Sequence, residues 1–116
     1  MAASNKFTIK ITGKSGHAGK PHQCVDATVV CAAIVMNLQS LISREVDPVN
    51  SAVITIGHIK SGETHNIISG NSIIEGTIRT FNEETRNLVP CIMEDLVKGI
   101  TTSQGATYEF TDLWKR

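Results

Sequence analysis

The sequence predicts an α+β sandwich, a four-stranded antiparallel sheet carrying two helices on one face. Three observations lead there. Short segments alternate apolar and polar residues, two longer segments repeat apolar residues at helical spacing, and the order of the segments is β-α-β-β-α-β. With 116 residues the chain has room for one core and little more, so residues 6–114 are expected to form a single domain. Met1-Ala2-Ala3-Ser4-Asn5 is short and polar and is read as an N-terminal extension.

Phe7-Thr8-Ile9-Lys10-Ile11-Thr12 puts Phe7, Ile9 and Ile11 on one side, the pattern of a half-buried strand. A loop rich in glycine, lysine and histidine follows at 13–22. Residues 23–44 read as a helix with two apolar stripes: Ala27, Val30, Ile34, Leu38 and Leu41 on one side, and the smaller set Val29, Ala32, Ala33 and Met36 on another. A helix that is apolar on two sides needs two surfaces to pack against, its own sheet and a second subunit.

Asp47-Pro48-Val49-Asn50 signals a turn into the β-rich strand 51–59. A polar loop, Lys60 to Asn66, separates it from a strand at 72–81. There Ile74, Gly76 and Ile78 share one face, and Glu75, Thr77 and Arg79 the other. Asn82 followed by Glu83-Glu84 is a helix start, with acids set against the helix dipole. Val89, Ile92, Met93, Leu96, Val97 and Ile100 continue at helical spacing. Pro90 is expected to kink the helix, Gly105 to end it, and 107–111 to form the last strand.

Right-handed crossovers turn this order into a ferredoxin-like sandwich. The strand 51–59 then lies at a sheet edge without proline and with few charges, the usual protections against edge pairing. An open edge beside a two-sided helix argues for a homodimer through strand 51–59 and helix 23–44.

Composition excludes several functions. Eleven basic residues balance eleven acidic ones, and aromatics are 4%, so neither a charged footprint nor a stacking platform for nucleic acid is present. The apolar run 25–42 is broken by Asp26, Thr28, Asn37, Gln39 and Ser40, which favours a buried helix over a membrane span. Cys24, Cys31 and Cys91 are odd in number and lack CxxC spacing. They read as reduced thiols of a cytoplasmic protein.

The 13–22 loop is not a phosphate cradle, because that motif needs glycine and a hydroxyl where Lys14 and Pro21 stand. His17, His22 and Cys24 could suggest a metal, but a structural zinc site wants four convergent ligands, and these straddle a proline. No metal ligand is assigned in this chain. Asn66 suits a turn. Arg79 has two readings: a solvated charge paired with Glu75 on the same face, or a guanidinium fork for a carboxylate.

Taken together, the strand, Gly13-Lys14-Ser15-Gly16-His17-Ala18-Gly19-Lys20-Pro21-His22, Asp26 opening the helix, Asp47-Pro48, Ser51-Ala52-Val53, Gly62…Asn66-Ile67-Ile68, Gly76-Thr77-Ile78-Arg79-Thr80-Phe81 and Gly105-Ala106 resemble a known module. It is similar to the dimerisation, or lid, domain of the zinc-dependent amidohydrolases and exopeptidases, closest to the aminoacylase, hippurate hydrolase and auxin-conjugate hydrolase branch. The resemblance implies a parent enzyme that cleaves N-acyl amino acids. Its separate catalytic domain would hold two divalent ions, zinc or manganese, and the lid would be inactive alone. It implies that His17 reaches the partner's active site to stabilise the carbonyl oxygen, that Asn66 helps hold substrate, and that Arg79 binds a substrate carboxylate. Ser69 departs from the family pattern, which often has proline after the Asn-Val-Ile motif. The alternative reading is a free-standing ferredoxin-like module that binds a small ligand or regulates a partner.

Overall fold

The computed structural model of the chain describes residues 3–19, 22, 24–45 and 52–112. The elements are β1 (Ala3–Thr12), β2 (Gly16–His17), α1 (Ala27–Glu45), β3 (Ala52–Ser61), β4 (Ile67–Ile68), β5 (Asn71–Thr80), α2 (Glu83–Gln104) and β6 (Thr107–Asp112). The expected antiparallel sheet is present, in the order β3-β5-β1-β6, with β3 at one edge and β6 at the other.

One core lies between this sheet and the helices. Phe7, Ile9 and Ile11 of β1 and Ile74 and Ile78 of β5 meet Ala27, Val30, Ile34 and Leu38 of α1, and Val89, Met93 and Val97 of α2. Gly76 lets β5 pass under the Phe7 ring. A Cβ there would lie 2.9 Å from that ring and 2.1 Å from the Thr55 carbonyl oxygen. The opposite sheet face is polar, with Lys6, Lys10, Thr55, His58, Lys60, Thr77, Arg79 and Glu109 exposed.

Several boundaries differ from expectation. β1 begins at Ala3 rather than Phe7, since Ala3–Lys6 pair with Thr77–Thr80, and the buried Asn5 side chain donates to Asp112. The first helix begins at Ala27 because Val25 is already committed to a bridge with Lys14. Asp26 caps it, Oδ1 accepting from Thr28 N at 2.9 Å and Val29 N at 3.4 Å, while Ser69 O takes the Ala27 N–H.

Asn82 caps α2 through Thr85 N, and Gly105, at a positive φ of 79°, ends it. α2 remains a single helix through Pro90, which is buried and has no N–H to donate to the preceding turn. The expected turn 47–50 lies outside the described residues. No described helix is long and apolar enough to cross a membrane.

The two stripes of α1 part as anticipated. The first is buried, whereas Val29 and Met36 of the second are 53% and 69% exposed. α1 packs on the β3 side of the sheet and α2 on the β6 side. Ile54 and Ile56 of β3 point inward, half-buried against the core, while Val53 and Ile59 are the strand's exposed apolar residues.

Candidate functional site

The glycine-rich loop is built into the fold rather than draped over it. Gly13 N donates to Gly70 O at 2.8 Å, and Lys14 and Val25 exchange backbone bonds at 2.8 and 2.9 Å. Gly16 lies against Cys24, with no room for a Cβ, which would come within 2.3 Å of the sulfur. Gly16 and His17 then pair with Ile68 and Ile67 as a two-stranded ribbon, β2 with β4. Ala18 N closes it on Asn66 O at 3.1 Å. Neither ribbon strand was expected from sequence.

His17, the last residue of β2, and Asn66, the turn residue just before β4, are thereby brought close together. Both are exposed. His17 Nδ1 accepts from Gly19 N at 2.9 Å, which leaves the other ring nitrogen facing outward. Asn66 Oδ1 accepts from Thr64 Oγ1 at 3.4 Å. A groove lined by Ala18, Asp26, Thr28, Thr64, His65 and Ile67, among others, runs beside them.

Ser69 is what fixes this end of the domain. Its buried hydroxyl accepts from Gly62 N at 3.1 Å and donates to Asn71 O at 2.5 Å, tying β3 to β5. Ser61 Oγ, 3.3 Å from Ser69 Oγ, is also 2.6 Å from Thr28 Oγ1, which extends the tie to α1.

Arg79 is not part of this cluster. It sits eight residues along β5 from Asn71, about 26 Å away at 3.3 Å per residue. The plain reading, an ion pair with Glu75, is not realised. Glu75 instead meets Lys6 Nζ at 3.4 Å and His58 Nδ1 at 3.0 Å. The Lys6 hydrogen bond and charge, aided by His58, hold its carboxyl below the usual range. Among the described residues Arg79 has no ion-pair partner, so its guanidinium is available.

Among the described residues no three His, Cys, Asp or Glu side chains converge as a metal site would need, and Cys24, Cys31 and Cys91 form no disulfide.

Residues 3–100 match the family model of the peptidase dimerisation domain. The chain belongs to that family. Among its relatives, this dimerisation domain is 47% identical over 110 residues to an N-acyl-L-amino acid amidohydrolase of Geobacillus stearothermophilus, covering 95% of this chain and 30% of that protein. It is 48% identical over 100 residues to an N-acetyldiaminopimelate deacetylase of Brevibacillus brevis, covering 86% of this chain and 26% of the relative.

A Bacillus subtilis structure described as a dinuclear metal binding peptidase of the M20 family superposes with a TM-score of 0.74 at 30% identity, covering 97% of this chain and 26% of that one. A structure from methicillin resistant Staphylococcus aureus superposes at 0.92, also at 30% identity, over 96% of this chain and 28% of that one. The dimerisation domain thus spans under a third of the length of the relatives it matches.

Proposed function

We propose that this domain joins two copies of a metal-dependent amidohydrolase that cleaves N-acyl amino acids, and lends His17 of one copy to the active site of the other. The observation that carries the reading is the open β3 edge lying beside the exposed stripe of α1. Together they form a continuous surface able to extend the sheet and bury Val29 and Met36 at once.

Pairing two such edges about a two-fold axis runs β3 antiparallel to its copy. The Ser61 and Asn71 end of one domain then meets the Ala52 and Thr80 end of the other. Arg79 of one copy comes to the end that carries His17 and Asn66 of its partner, which accounts for a separation that no small substrate could span within one chain.

In this reading Arg79 holds the substrate carboxylate in a bidentate pair. His17 and Asn66 donate hydrogen bonds to the amide carbonyl oxygen as it gains charge in the transition state. Two divalent ions, zinc or manganese, would belong to the catalytic part of the parent, in keeping with the dinuclear metal binding peptidase that this domain resembles. The domain by itself is expected to be inactive.

Subunit mixing of the parent tests the reading. A His17→Ala subunit keeps an intact metal centre, and a subunit with its metal ligands removed keeps His17. Each homodimer should fall about 100-fold in kcat or lower. Random mixing makes half of the dimers hybrids with one live site each, so activity should return to about a quarter of the wild-type value. No recovery in verified hybrids would refute donation across the interface, and a His17→Ala homodimer within about twofold of wild type would refute the role of His17.

A further inference from the structure

We propose that the backbone N–H of Gly19 is a positioning group that fixes which nitrogen of His17 carries the proton, so that the ring is offered to substrate as a neutral Nε2–H donor. The inference rests on the role given to His17 above and deepens it.

A neutral imidazole has one N–H and one lone pair, and the nitrogen that accepts a hydrogen bond cannot also bear the proton. Gly19 N stands 2.9 Å from His17 Nδ1, so the lone pair lies at Nδ1 and the proton at Nε2. The donor is a main-chain group, and its direction is set by the loop. That loop is held on one flank by the Lys14–Val25 bridge, and at its tip by Gly16–His17 against Ile67–Ile68 and by Ala18 N on Asn66 O. Ring orientation and tautomer are thus settled before substrate arrives.

Residue 19 has little space for more than its backbone. A Cβ there would lie 3.1 Å from Nδ1 and 3.4 Å from Cε1, so the ring would have to yield by a few tenths of an ångström. The chemical consequence is a choice of role. With Nδ1 occupied, Nε2 has no lone pair with which to take a proton, and His17 polarises a carbonyl oxygen rather than acting as a base.

The test needs no catalysis. In the uniformly 15N-labelled 116-residue chain, at a pH where the ring is neutral, a through-hydrogen-bond N–N coupling should connect Gly19 N to His17 Nδ1, with the ring in the Nε2–H form. Gly19 amide exchange should be about fivefold slower than in His17→Phe, as expected for one modest hydrogen bond. In Gly19→Pro, which has no donor, the ring should relax to a mixture of tautomers; Gly19→Ala should keep the coupling.

An Nδ1–H ring in the wild-type chain, absence of the coupling, or equal exchange in His17→Phe would overturn the proposal. Because the wild-type coupling is read directly, misfolding of a variant would not shelter it. Its failure is also distinguishable from failure of the wider reading, since subunit mixing reports on His17 whichever nitrogen bears the proton.

Discussion

Met36→Lys should dissociate the proposed dimer without disturbing the monomer. Met36 is 69% exposed on the outer stripe of α1. Complete burial of such a side chain is worth roughly 1.5–3 kcal/mol, and about two-thirds of that remains to be gained in an interface, some 1–2 kcal/mol per copy. Two-fold symmetry doubles the loss to about 2–4 kcal/mol per dimer, so the dissociation constant should rise roughly 30- to 700-fold. Two lysines brought together across the axis push in the same direction.

Sedimentation or light scattering over a concentration series reads the constant, and thermal unfolding under monomeric conditions supplies the control. The melting temperature there should hardly move, because exposed substitutions away from caps and cores stay within about 0.5 kcal/mol. A dissociation constant within about threefold of wild type, with the fold intact, would remove α1 from the interface.

Other outcomes follow from packing and charge. Gly76→Val drives a side chain into the Phe7 ring and the Thr55 carbonyl, and should cost 3 kcal/mol or so, the upper end of overpacking penalties, seen as loss of cooperative melting or a large fall in its midpoint. Asn82→Ala removes the cap on Thr85 N and should cost about 1 kcal/mol, a fall of some 4–8 °C in melting temperature. Ser69→Ala strands the Gly62 and Asn71 groups it serves, and should lower stability by about 1–3 kcal/mol while speeding amide exchange around Asn66.

Glu75 has a folded-state pKa below its unfolded one. Its small contribution is therefore complete above the ordinary carboxylate value and fades as pH falls through the lowered one. Glu75→Gln should flatten that part of the acid stability profile, and an unchanged profile would show that Lys6 and His58 do not matter to it.

The main elements could be read because their patterns are local. Phe7, Ile9 and Ile11 alternate, Ala27 through Leu41 repeat at helical spacing, and each set is buried as its period required. What escaped is non-local. Gly16-His17 and Ile67-Ile68 are too short for any period, and they become strands only because the Lys14–Val25 bridge and the Ser69 turn bring them together. Asn5 looked like part of a tail, and its burial depends on Asp112 at the far end of the chain. The companionship of His17 and Asn66 rested on resemblance until the ribbon supplied a geometry. Arg79 was weighed against Glu75, four residues before it on the same strand face. Cross-strand neighbours won that carboxylate, as His58 is directly opposite in register and Lys6 sits on the diagonal.

The far border of the sheet has a consequence of its own. A strand-bearing unit with two adhesive margins would add copies without end and grow into a fibre. Here the opposite margin is β6, six residues long, bearing Glu109 and ending in Asp112. In the proposed pair joined through β3, both free borders are this short strand, with Glu109 exposed and Asp112 buried against Asn5. A border of six residues offers little to a third copy, so the proposed joint would close on a pair rather than propagate.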